Sequence, residues 1–210
     1  MKKIITHATI FLVALVLSYA AMAEKPVTQA TMDHNLQRSG FLENYDDFKV
    51  LNPETNAEVW IAPPFQDLSI LKNYRAIILS PVEVWLHSAG DYRGVNPDDL
   101  KKITDYFEGE LKEKLSKRFE LVEKPGPDVM QLRIAITGLE TEKAKLKTHI
   151  KSRAVVEMEV IESESRKRLV AAIDQHSSSK LKAGEGAEPY EKILDFWAKR
   201  ISNRLNTARN

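Results

Sequence analysis

The sequence predicts an α+β domain: a mostly antiparallel sheet of about five strands with two amphipathic helices packed on it, preceded by an irregular arm. Three observations carry this reading. Apolar residues recur at helical spacing in two segments, from Asn96 to Phe119 and from Pro189 to Leu205. Between and before these segments lie short runs of alternating or β-branched residues bounded by turn residues. The stretch from Glu24 to Asn73 is aromatic-bearing but has no period, and Pro53, Pro63 and Pro64 interrupt it.

Met1-Lys2-Lys3 is a basic start, and Ile4 to Tyr19 is mostly apolar apart from His7. Ala21-Met22-Ala23 then places small residues where a signal peptidase reads, so residues 1–23 read as a secretory signal cut between Ala23 and Glu24. The apolar run Ala8 to Ala23 falls short of the roughly 20 residues that span a bilayer, and no later segment is long and apolar enough to cross one. The mature chain is therefore expected in the periplasm. Residues 24–73 form the arm, opening with a polar lead-in to Asn35. Phe41, Tyr45, Phe48, Trp60 and Phe65 are too many aromatics for a disordered linker, so the arm is expected to lie on the domain at 74–210.

Ala76 to Leu86 is the first strand, rich in Ile77, Ile78, Leu79, Val82, Val84 and Trp85. Pro81 within it has no N–H and requires an edge, a bulge or a break. Asn96 is an N-cap candidate, with Pro97, Asp98 and Asp99 opening a helix to about Phe119. Leu100, Ile103, Phe107, Leu111 and Leu115 share its apolar face. Phe119 to Val122 is a short strand, and Pro125-Gly126-Pro127-Asp128 a turn. From Val129 to Leu139, Leu132, Ile134 and Ile136 face one way, and Gln131, Arg133 and Ala135 the other. After a charged connection, Lys151 to Ile161 alternates Ala154, Val156, Met158 and Val160 against Glu157 and Glu159. Ser163 to Lys167 turns the chain into a return strand, Leu169 to His176. A small, polar loop leads to Pro189 and a last helix with the stripe Ile193, Phe196, Trp197, Ile201 and Leu205.

Composition excludes several functions. The chain has no cysteine, hence no disulfide framework, thiol nucleophile or Cys-ligated metal. Lys and Arg number 31 against 30 Asp and Glu, which gives no electrostatic footprint for nucleic acid. There is no phosphate loop, nucleophile elbow or H-E-x-x-H pair, so no cofactor and no metal centre is expected. The catalytic candidates are few. Asp174 and His176, two apart on a strand, share a face and could form an acid–base pair or two ligands of an incomplete metal site. Glu157 and Glu159 also share a face and could divide general acid and base roles if burial separated their pKa values. The plainer reading makes His176 a strand end and the glutamates a solvated face opposite Arg133, Arg153 and Arg168. Phe196 and Trp197 read as core, and an exposed Trp60 or Trp85 would mark a partner groove. Lys143, Lys145, Lys147, Lys151 and Arg153 read as a solvated basic connection.

Ser39-Gly40-Phe41-Leu42 with Tyr45, then Tyr74, Pro81-Val82-Glu83-Val84-Trp85, Pro125-Gly126-Pro127-Asp128, the run Leu132 to Thr137, Glu157-Met158-Glu159 and Trp197-Ala198 are motifs in a telling order. Together they resemble the domain of unknown function 3313 family, envelope proteins of Gram-negative bacteria of which many are lipoproteins. The resemblance implies an exported envelope protein and no particular reaction. Lipoprotein members carry a cysteine at the cleavage site. Ala21-Met22-Ala23-Glu24 stands here instead, from which a periplasmic form without a lipid anchor is expected.

The expected function is a non-catalytic binding or assembly module whose partner is an envelope protein or cell-wall component. The alternatives are a hydrolase or metal-dependent enzyme using Glu157, Glu159, Asp174 and His176, or a small-molecule carrier with a pocket between sheet and arm. Convergent carboxylates in a sheltered pocket would favour the enzyme, a deep apolar cavity the carrier, and a filled core with an open apolar groove the binding module.

Overall fold

A computed structural model of the chain describes residues 38–52, 57–85, 97–143, 150–177 and 189–208. The signal segment 1–23 with its Ala23/Glu24 cleavage site, the lead-in to Asn35, the Asn96 cap and the loop 178–188 lie outside the described residues, as do the side chains of Lys143, Lys145, Lys147 and Lys151. The elements run β1 (Lys49–Asn52), β2 (Ala57–Ile61), a 3-10 helix (Leu68–Leu71), β3 (Ala76–Leu79), β4 (Glu83–Val84), α1 (Pro97–Leu115), β5 (Glu120–Leu121), β6 (Val129–Lys143), β7 (Ile150–Glu162), β8 (Arg168–Ser177) and α2 (Pro189–Thr207).

The class is α+β, as expected, but the sheet differs in two respects. It has eight strands in the order β1-β2-β8-β7-β6-β3-β5, with β4 also on β6, where about five were expected. It is also mixed, because β3 pairs in parallel with β5 and β6, and β4 in parallel with β6. Parallel neighbours need a crossover, and α1 supplies it between β3 and β5. The arm is not irregular throughout either. Its segments 49–52 and 57–61 are strands, and β2 pairs with β8 from Glu58↔Ile173 to Ile61↔Val170. Four- and five-residue strands beside prolines show too little alternation to read. They form because β8 offers a ladder to pair with.

Pro81 acts as anticipated. Leu79 pairs with Leu132 and Glu83 with Ala135, so three residues, Ser80 to Val82, stand against two on β6. The strand breaks there into β3 and β4.

The period of two in β6, β7 and β8 sorts the side chains. Leu132, Ile134 and Ile136 of β6 with Val156 and Val160 of β7 meet Phe107, Leu111 and Leu115 of α1 and Trp197, Ile201 and Leu205 of α2. The two helices are tied by Lys114 to Asp195 at 2.9 Å and by the Ser202 hydroxyl donating to the Lys114 carbonyl at 3.0 Å. On the other face, Phe41 and Leu42 of the arm cover Ala135, Ala171 and Ile173, with Tyr45, Phe48 and Trp60 around them.

Candidate functional site

The sheet divides the four candidate residues. In the β7–β8 register Val156 pairs with Asp174 and Glu157 with Ile173. Asp174 therefore points to the helix face and Glu157 to the arm face, and no single centre gathers all four.

On the arm face, the glutamates hold the arm down. Ser39 opens the turn, and Gly40 adopts φ 93°, a left-handed conformation that glycine enters without strain. The Tyr45 hydroxyl accepts from the Gly40 N–H at 2.8 Å and from the Leu42 N–H at 3.3 Å. It donates to Glu157 Oε2 at 2.6 Å, and the Ser39 N–H donates to Glu157 Oε1 at 2.9 Å. Burial and the bond to Glu157 both push the Tyr45 hydroxyl above its ordinary pKa. Glu159 is held by Arg133 at 2.6 Å and Arg168 at 2.8 Å. Arg168 also donates to the carbonyls of Leu42 and Asn44, and the Arg133 guanidinium lies 5.0 Å from the Phe41 ring centre. Trp85 meets Phe41 edge-on at 5.8 Å, and its indole N–H donates to the Ser39 carbonyl at 3.2 Å.

Glu157 and Glu159 are thus buried, at 0% and 5% exposure, rather than forming a solvated face. All four of their carboxylate oxygens accept from arm or arginine donors, which suits a latch. Arg133 and Arg168 both bond Glu159, whereas Glu157 takes its donors from the arm and Arg153 pairs with Glu140. Trp85, exposed at 39%, clamps the arm through Phe41 and the Ser39 carbonyl. Beneath the arm, Phe41 and Leu42 pack on Ala135, Ala171 and Ile173.

The helix face is different. Between α2 and the 3-10 helix, over β2 and the outer side of β8, a groove of roughly 1020 Å³ opens among the described residues. Val59, Ile61, Met158, Val170 and Ala172 make its floor. Phe196, Arg200, Ile201 and Arg204 of α2 make one wall, and Leu68, Ser69 and Lys72 the other. Its size lies at the upper end of ordinary ligand sites, about 300–1,000 Å³.

Asp174 sits in this groove at 4% exposure. Its Oδ2 accepts from the Trp197 indole N–H at 3.2 Å and faces Arg200 Nη1 at 3.1 Å. Its Oδ1 is buried and has no partner among the described residues. Burial pushes this carboxyl up to about 6, although Arg200, the indole and the Gln175 backbone N–H pull the other way. An unmet buried acceptor costs about 1–3 kcal/mol. His176 shares the face, as its spacing predicts, and stacks on Phe196 with ring centres 4.1 Å apart and planes 7° apart. Among the described residues, no three His, Asp or Glu side chains are grouped to hold a metal ion. Sequence reasoning missed Arg200, Arg204 and Lys72. The one available signal was Arg200 and Arg204 flanking the Trp197–Ile201–Leu205 stripe one turn apart.

The model of a family described as "Protein of unknown function (DUF3313)" matches residues 37–201, which meets the expectation drawn from the motifs. "Uncharacterized lipoprotein YdcL" of Escherichia coli (strain K12) is 34% identical over 110 residues, 51% of this chain and 47% of that protein. The chain thus matches about half the length of the curated relatives. Among solved structures, the PelC dodecamer from Paraburkholderia phytofirmans is 9% identical, covers 71% of this chain and 95% of its own, and superposes with a TM-score of 0.42. A minor lipoprotein from Acinetobacter baumannii is 18% identical, covers 65% and 95%, and has a TM-score of 0.36. One expectation is corrected here. The curated relatives are named lipoproteins, and this overturns the reading of the chain as one without a lipid anchor. No helix among the described residues is long and apolar enough to cross a membrane.

Proposed function

The chain belongs to the family described as "Protein of unknown function (DUF3313)", and on that premise we propose that it is a non-catalytic binding module of the bacterial cell envelope, exported through residues 1–23 and working in the periplasm. The observation that carries the reading is a filled core beside an open apolar groove with one unmet buried acceptor, Asp174 Oδ1. Lipoprotein relatives support the envelope as its place of work. The separation of Glu157 and Glu159 from Asp174 and His176 by the sheet weighs against an acid–base centre built from all four.

The test is a photo-crosslinking side chain placed in intact cells at Lys72 or Leu68, in the groove wall, and at Lys112, exposed on α1. Adducts are expected at Lys72 and Leu68 and not at Lys112. Equal yield at all three positions, or none at any, would remove the groove as the binding site. Recovery of the protein in the cytosol with Met1 intact would remove the export reading.

A further inference from the structure

The charged side chains that line the groove are unequal in sign. Lys72, Lys199, Arg200 and Arg204 are basic, while the acids turned into it are Asp67 and Asp174. Glu58 and Glu159 also border it, but their carboxylates go to the opposite face, to Arg38 and to Arg133 with Arg168. Asp67 is engaged with the Ser69 N–H at 2.8 Å, and Asp174 with Arg200. Lys72 and Arg204 form no ion pair among the described residues. The surplus is cationic, and it stands on both walls.

The floor between those walls is alkyl. Val59, Ile61, Val170 and Ala172 offer no polar side-chain atom, so a sugar or base would lose its hydrogen bonds there. The exception is Asp174 Oδ1, at the end of a carboxylate whose other oxygen is fixed by Trp197 and Arg200. A ligand that completes this site brings an N–H or O–H donor to Oδ1, an anionic group to the walls and a hydrocarbon body to the floor. A cationic ligand is disfavoured by Arg200 beside Asp174.

We propose that the groove binds single molecules of an anionic amphiphile, with its hydrocarbon chain along β2 and β8, its acidic head at Lys72 and Arg204, and an amide or hydroxyl donor next to the head on Asp174 Oδ1. This rests on the reading of the groove as the binding site and adds the class of ligand.

N-lauroylglycine has all three features, laurate lacks the donor, and dodecyl maltoside lacks the charge. Titrated calorimetrically into the full chain below their micelle concentrations, they are expected to bind in that order, with dodecyl maltoside weaker than N-lauroylglycine by about tenfold or more. Arg204→Gln and Lys72→Gln are each expected to weaken N-lauroylglycine by about tenfold and leave the unfolding midpoint unchanged. Asp174→Ala is expected to abolish the preference for N-lauroylglycine over laurate. Equal binding of dodecyl maltoside, no binding of N-lauroylglycine, or indifference to both Arg204→Gln and Lys72→Gln would overturn the proposal. If it falls while crosslinks at Lys72 and Leu68 persist, the groove remains a binding site for another class of partner; if the crosslinks also fail, both readings fall.

Discussion

On the arm side of the sheet, Glu157 and Glu159 are buried with all four oxygens accepting from donors the chain itself supplies. On the helix side, Asp174 is equally buried, yet one oxygen has no hydrogen-bond partner among the described residues and the other leans on Arg200 and Trp197. The contrast teaches how to read a buried acid. Where its partners are complete, it is structural, and its loss is felt as instability. Where a partner is missing beside an open groove, it is a place that something else completes. Burial alone does not separate the two cases; the count of acceptors left over does.

The sharpest way to break this comparison is to remove Glu157. Glu157→Ala leaves the Ser39 N–H and the Tyr45 hydroxyl without an acceptor under Phe41 and Leu42. A loss of about 3–5 kcal/mol is expected in urea unfolding. Glu157→Gln keeps one acceptor oxygen and is expected to lose about 1–2 kcal/mol. If Glu157→Ala cost no more than an exposed helix pair such as Lys101–Asp105, well under about 1 kcal/mol, the arm would not be latched as described.

The helix side is expected to respond with the opposite sign. Asp174 titrates near 6 in the folded protein against 3.8 for the free group, with burial as the largest cause and Arg200 opposing it. The folded state therefore holds this proton more tightly than the unfolded state. Its contribution to stability is full below about pH 4 and is lost as pH rises to about 6. Asp174→Asn removes that slope. At pH 7 the variant is expected to be more stable than wild type by on the order of 2 kcal/mol, and the two are expected to converge near pH 4. Paired thermal melts at pH 4, 5.5 and 7 measure this directly. A variant less stable than wild type at pH 7 would mean that the Arg200 pair outweighs the burial of the carboxylate.

How much of this was legible follows the range of the contacts. The alternation of Leu132, Ile134 and Ile136 against Arg133 and Ala135, and the stripes on α1 and α2, are local patterns, and the structure obeys them. That Glu157 shares a face with Glu159, and Asp174 with His176, was equally local. What surrounds them was not. Ser39 and Glu157 are 118 residues apart and Tyr45 and Glu157 112, so the latch exists only once the arm has docked. β1 and β2 are strands because β8 has an open edge to offer. The groove is harder still to read, since its floor comes from β2, β7 and β8 and its walls from α2 and the 3-10 helix with Lys72, segments far apart in the chain. The S-G-F-L turn, Tyr45, Trp85, Arg133 and the two glutamates were visible as a set only through resemblance. The structure supplies the reason they belong together, because they meet at one patch of the arm face.

The smallest effect expected lies at the rim of the latch. Trp85 is 39% exposed, and its indole N–H makes one bond, to the Ser39 carbonyl at 3.2 Å, while its ring edges onto Phe41 at 5.8 Å. Trp85→Phe keeps the ring contact and loses the bond. A cost of about 0.5–1 kcal/mol is expected by urea unfolding, well below that of Glu157→Ala although both changes release the same residue of the arm. Binding in the groove is expected to be unaffected, because Trp85 does not line it. A Trp85→Phe loss as large as that of Glu157→Ala would place the strength of the latch in its aromatic clamp rather than in the buried carboxylate.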